Sequence, residues 1–374
     1  MKTRRKLAYR RHVLVSSVAT GLLVGASPTM AACTKSGSSW QCDYGAGEAY
    51  TTVQGVSEAG YSPPHDNGTT DAGAGPAVTV NDAGASFTVS SGFDTYRGVL
   101  YGQTFGGQGE DAGKGGGAGP VTITSAGTMT VNVQGAEDSK GNVTTSTPRA
   151  FITGISQGGD GEQDDNDDND SNGGNAANGN DVRVAVSGAA HYAVDGTIVR
   201  NFEGVLAQSG GGQGGRQNSA LFDNQHGGAG GAGQLAKIQN SGSIQIGAQG
   251  PVQSSADLVS GIRAWSFGGY GGRFNGNAGA GGTVEVDHQA GAELEVRVNT
   301  VTGGQEIYGI LAESEGAHGY HSEDNDDRGG QGGNAGTATV NVSSGISVDV
   351  SGAKIEHGAA VHASSKGGKG GTGP

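Results

Sequence analysis

The chain is short of the residues from which an ordinary core is made. Hydrophobic residues are 33% and aromatics 5% of its 374 positions, where a globular domain runs nearer half apolar. No single large core can be assembled from that supply. Basic residues are also outnumbered, 22 Lys and Arg against 36 Asp and Glu, for a net charge of −14. Such a surface repels nucleic acid and anionic membrane, so nucleic acid is excluded as a partner. No window supports a helix of ordinary length, and no His-x-x-x-His pair stands on a helical pattern.

What is abundant is glycine, 76 residues, and it recurs in a fixed grammar. Gly204-Val205-Leu206-Ala207-Gln208-Ser209 is echoed by Gly98-Val99-Leu100-Tyr101, Gly154-Ile155-Ser156-Gln157, Gly261-Ile262-Arg263-Ala264-Trp265-Ser266 and Gly309-Ile310-Leu311-Ala312-Glu313-Ser314. Gly55-Val56-Ser57-Glu58 is a degenerate first copy and Ala360-Val361-His362-Ala363-Ser364-Ser365 a last one. Start-to-start intervals are 43, 56, 50, 57, 48 and 51 residues, and self-similarity at such a period signals a repeat architecture.

After each anchor come a glycine-rich run and two short alternating segments, such as Val182-Arg183-Val184-Ala185-Val186 or Ile346-Ser347-Val348-Asp349-Val350. Branched apolar residues alternating with polar ones make half-buried strands. Three strands per repeat predict an all-β fold, a parallel β-helix (a solenoid) whose columns of apolar residues stack in a narrow core. The glycine runs, near 106–119, 158–179, 210–233, 268–282 and 316–336, fall on one edge of that solenoid. Composition fits either flexible solvated loops or an ordered stack of glycine-rich turns; flexible loops are the expectation, because glycine maximises the entropy cost of ordering.

The N-terminus is different. Lys2, Arg4, Arg5, Lys6, Arg10 and Arg11 precede an apolar run from Val13 to Ala26 and small residues at Ala31-Ala32. This pattern predicts a secretory signal over 1–31, too short for a spanning helix. Its removal takes six basic residues and moves the net charge from −14 to −20. In an exported chain, Cys33 and Cys42 predict a small disulfide loop; a metal site is the rival, but two thiols do not fill a tetrahedral shell. The expected division is a signal peptide at 1–31, a disulfide-clipped cap at 32–52 and repeats over 53–374.

The signal peptide, the Gly-Val/Ile-x-Ala-x-Ser-x-Gly-Gly-x-Gly-Gly phrase at 204–215 and 261–272, and the Val-x-Val…Gly-x-Ile-x-Val tail together resemble the passenger region of type V autotransporters of Gram-negative bacteria. The likeness runs from Val53 to the last residue. It implies a right-handed parallel β-helix displayed at the outer membrane or cell surface, or secreted, with an adhesive or structural role toward a ligand on a host or neighbouring cell. Family members reach the surface through a C-terminal β-barrel of the same polypeptide. This chain stops at Gly371-Thr372-Gly373-Pro374 without barrel strands, so the resemblance implies a fragment or truncated product whose membrane link is that missing barrel.

Candidate chemistry is thin. Gly154-Ile155-Ser156-Gln157-Gly158 matches a nucleophile elbow in letters, but no helix follows and it coincides with the repeat anchor. Asp168, Asp170, Asn172 and Gly173 open like a calcium loop, yet Gly179 stands where a bidentate Glu is required. A second acidic run covers Glu323 to Asp327, and Glu110-Asp111 only grazes a calcium-repeat pattern. His318 and His321 could ligate a transition metal or merely decorate a loop. Trp265, Phe267, Tyr270 and Phe274 cluster at one glycine run and suit a partner or a glycan, or fold back on the edge. No catalytic, cofactor or metal residue is assigned, and the protein is expected not to be an enzyme. The alternatives are an exported β-helix enzyme acting on polysaccharide and a calcium-stabilised repeat protein.

Overall fold

The computed structural model describes residues 32–371 apart from 38, 47–48, 51–53, 60–71, 90–97, 110–112, 133–135, 138–142, 146–148, 163–173, 193–196, 199–200, 216–226, 273–275, 320–329 and 354. The described chain is all-β, without a helix. Its strands form three large sheets of eight, nine and seven strands and a separate two-stranded antiparallel pair at 136–145. Each repeat feeds the large sheets in the same order. Val182–Val186 joins the first, Ala189–Tyr192 the second and Phe202–Gly210 the third; Ala236–Asn240, Ser243–Ile246 and Leu258–Phe267 then add one strand to each. All described pairings in these sheets are parallel except at the N-terminus, where Ala32–Ser36 returns on Ser39–Tyr44 with Cys33 opposite Cys42. Ser39–Tyr44 in turn pairs with Ala77–Asp82.

The alternation of the sequence is the burial pattern of the first sheet. In Val121–Ser125 and Val182–Val186 every second side chain is buried, because successive strand residues point to opposite faces. Parallel register stacks those residues into columns: Val80, Ile123, Val184, Ile238 and Val286 form one. They belong to a single core running through all repeats. The third sheet answers with small residues. Gly102, Gly154, Ala207, Ala264, Ala312 and Ala363 share one column, and a Cβ at Gly154 would press on Val182 of the first sheet. The core narrows where the Val and Ile of the first sheet face this column of Gly and Ala.

That column corrects the reading of the repeat. The glycine-led alignment sets Gly98 and Gly154 level with Gly204, but the ladder places Gly154 opposite Ala207 and Gly98 opposite Ala150. What recurs in register is aliphatic-x-small-x-Ser/Thr: Leu100 to Thr104, Ile152 to Ser156, Val205 to Ser209, Ile262 to Ser266, Ile310 to Ser314 and Val361 to Ser365. Measured between the hydroxyl residues, the intervals are 52, 53, 57, 48 and 51 residues. Glycine is common at several places in the repeat, so it makes a poor marker of phase.

One column of the first sheet is polar at its exit. Asp82, Ser125, Val186, Asn240 and His288 follow one another there. Asp82, 1% exposed, accepts from the Ala85 amide at 2.7 Å, the Ser125 hydroxyl at 2.8 Å and the Gly127 amide at 2.9 Å. Asn240 uses its oxygen on the Gly242 amide and so turns its nitrogen to His288 Nδ1 at 3.1 Å, while His288 Nε2 donates to Gly345 O at 3.3 Å. Both contacts are met by the neutral ring, and a proton on Nδ1 would face the Asn240 amide hydrogens.

Burial pushes the His288 pKa below its ordinary value, the bond to Gly345 being the smaller, opposing effect. The unfolded chain then binds the extra proton first, so this contribution is complete above about pH 6.5 and is lost as pH falls from there through the depressed folded value. The melting temperature should fall between pH 8 and pH 5. His288→Gln should make that fall smaller; an unchanged fall would show that protonation of this ring is not linked to unfolding.

Candidate functional site

The third sheet ends at a corner where the hydroxyl column meets the glycine runs. Four of its serines, Ser156, Ser209, Ser266 and Ser314, do the same two things. Ser209 Oγ accepts from the Gln234 amide at 2.8 Å and donates to Asn180 O at 2.9 Å. Ser156 accepts from the Asn180 amide and donates to Gly119 O; Ser266 accepts from Gly282 and donates to Gln234 O; Ser314 accepts from Gly336 and donates to Gly282 O. Every serine thus ties the point where its own glycine run returns to the return point of the preceding run. Ser156, the residue in the elbow-like motif, is fully buried and engaged in this way. Its hydroxyl closes a corner.

Between these clamps the described glycine legs differ from the flexible loops expected of them. An unbroken series of backbone hydrogen bonds of 2.8–3.2 Å runs from Gly368 through Gly333, Ala317, Gly279, Gly269, Gly231, Gly212, Ala177, Gly159, Gly116 and Gly107 to Gly73, each amide donating to the next carbonyl. Outgoing and returning legs alternate along it. Further bonds join like legs of neighbouring repeats every third residue: Gly158 to Gly210 and Gly161 to Gln213, then Gly211 to Phe267 and Gly214 to Tyr270. A three-residue period is that of a polyproline-II chain, which has no internal hydrogen bonds and so offers all its amides to neighbours. The result is a two-layer slab of glycine legs beside the sheets. Its spacing demands bare backbone. A Cβ on Gly269 would run into the carbonyl of Gly212, and one on Gly279 into that of Gly231.

Every third residue of the outgoing legs escapes this constraint and faces out, which gives the exposed Gln108, Gln213, Tyr270, His318 and Lys369 and the half-exposed Asp160. The Asp160 carboxylate accepts from the Gln213 amide at 2.7 Å, and His318 Nδ1 accepts from the Lys369 amide at 2.7 Å. The aromatics gather in one repeat. Trp265 and Phe267 lie 4.4 Å apart between ring centroids, Tyr270 approaches His318 at 6.5 Å, and the Arg263 guanidinium sits 4.6 Å from the Trp265 ring. Trp265 Nε1 donates to Glu315 at 3.3 Å. Phe267 lies over Gly210 of the preceding repeat, whereas Tyr270 remains 53% exposed. With Lys366 and the bare backbone of Gly268, Gly316 and Gly367, these side chains line a cleft of about 250 Å³.

Beside the cleft lies a charge relay across repeats. Glu203, 1% exposed, is approached by Arg149 at 3.4 Å and by Arg263 at 3.2 Å, and Arg263 also holds Glu313 at 3.0 Å. Arg suits such a post because its fork serves two carboxylates at once. The remaining sequence candidates divide. Cys33 and Cys42 are joined by a disulfide. His318 has one ring nitrogen committed to the Lys369 amide. The acidic runs at 164–173 and 323–327, together with Glu110, Asp111, His321 and Phe274, lie outside the described residues. Among the described residues, no cluster of three or more His, Cys, Asp or Glu is placed to hold a metal. Sequence reasoning missed the serine column; its signal was the Ser or Thr just before each glycine run.

Gly269→Ala should destabilise the protein, whereas Gly117, around which a Cβ would meet open space, should accept alanine with a gain of up to about 1 kcal/mol from the stiffer unfolded chain. Ser209→Ala strands a part-buried amide and carbonyl and should cost about 1 kcal/mol; Ser209→Thr, which mimics Thr104, should cost less. Thermal melts of the four variants check the set. Against known proteins, no family model, no curated protein and no solved structure matches this chain.

Proposed function

We propose that the chain is the passenger part of an exported, surface-displayed protein, folded as a right-handed parallel β-helix and acting as an adhesive scaffold without catalysis. The observation that carries the reading is the repeat itself: unit after unit of about fifty residues extends the same three sheets in parallel and adds legs to a glycine slab. Such a stack grows in one dimension and presents side chains along its length, which suits contact over a surface. The basic, apolar, small-residue pattern at 1–31 supports export, and the likeness of the repeat phrase to autotransporter passengers supports display.

The placement of two buried or half-buried carboxylates favours a scaffold over a polysaccharide-cleaving enzyme. Glu203 and Glu313 are both bound by Arg263, which commits their oxygens to a guanidinium that links neighbouring repeats. No cofactor is invoked. The partner is a ligand on a host or neighbouring cell.

Expression of the whole chain in a Gram-negative host, followed by fractionation and mass spectrometry, tests this reading. The expected product is periplasmic, begins at Ala32 or Cys33 and resists protease as a folded unit. A cytoplasmic product that retains Met1 would contradict it.

A further inference from the structure

We propose that the cleft formed by Trp265, Tyr270, Glu315, His318 and Lys366 binds a pyranose-ring glycan. The first reason is that the repeat does not require these aromatics. In the preceding repeat the positions of Trp265, Phe267 and Tyr270 are held by Gln208, Gly210 and Gln213, and in the following one by Glu313, Glu315 and His318. The sheets and slab form equally well around either set. Three large rings in one repeat, with Tyr270 left 53% exposed, are therefore surplus to the fold.

The second reason is the chemistry around them. A pyranose has an apolar C–H face and a rim of hydroxyls that both donate and accept. Aromatic faces take the first. The rim meets complementary groups here: the Glu315 carboxylate accepts and is steadied by Trp265 Nε1 at 3.3 Å. His318 accepts the Lys369 amide on Nδ1 at 2.7 Å, which leaves the proton of the neutral ring on Nε2 as a donor. Lys366 adds an ammonium at the edge.

The third reason is rigidity. The floor is glycine backbone, Gly268 donating to Glu315 O and Gly316 to Lys366 O, each at 2.9 Å. No floor side chain must be ordered when a ligand arrives, which lowers the entropy cost of binding. A flat ring can also approach bare backbone closely.

The inference names a ligand class for the adhesive reading above and rests on that reading only for where such a glycan is met. Its test is titration of tryptophan fluorescence of the signal-processed chain with hexamers of glucose, galactose, N-acetylglucosamine and galacturonic acid. At least one hexamer should give a saturable change. Tyr270→Ala and Lys366→Ala, both at exposed positions, should each weaken it roughly three- to tenfold, with melting temperatures unchanged. No saturable response to any of the four in folded protein would overturn the proposal. So would binding that survives both substitutions, since it would place the glycan elsewhere. A correctly processed, exported protein that binds none of them would overturn this site and leave the display reading standing.

Discussion

The structure depends on the absence of a side chain. Where glycine legs lie side by side, amides such as that of Gly269 reach a carbonyl of one neighbouring leg, and the room for a methyl group is already filled by a carbonyl of another. Glycine is the costliest residue to order. It is ordered here because a polyproline-II leg leaves every amide available to a neighbour, and each bond returns about 1 kcal/mol net. The slab cannot stand alone, since it buries almost no apolar surface. It is held at one edge by the hydroxyls of Thr104, Ser156, Ser209, Ser266 and Ser314, each on the last turn of backbone before a glycine run.

Much of the sheet architecture was legible in the sequence. Val182–Val186 shows its strand in its letters because one face meets water and the other the core, and its alternation is copied in the burial. The third sheet was harder to read. In Phe202–Gly210 every residue is buried, so no alternation survives, and only the recurrence of the phrase exposed it. The phase of that recurrence was misread, because Gly154 is the small residue facing Val182 while Gly204 lies three places earlier in the ladder, beside Gly261. The glycine legs were illegible in principle. Composition alone describes an isolated run, and their order comes from neighbours about fifty residues away.

The site follows from the same geometry. Two residues in three of each outgoing leg are spent on packing, and the third is exposed to solvent and under little constraint. That is where Gln108, Gln213, Tyr270 and His318 differ from repeat to repeat, and where a stiff scaffold can carry a variable message. A constant frame beneath a changeable outer ladder accounts for how glycine-rich sequence and variable exposed side chains coexist in one repeat.

The central claim is that the glycine legs are a hydrogen-bonded part of the fold. Amide hydrogen exchange on the full chain, resolved to the legs at 211–215, 227–235, 268–272 and 276–283, tests it most directly. The account predicts protection of these legs that approaches that of the strands Phe202–Gly210 and Leu258–Phe267 and is lost with them in one cooperative step. Exchange at the rate of an open chain, while those strands stay protected, would show that the slab does not form.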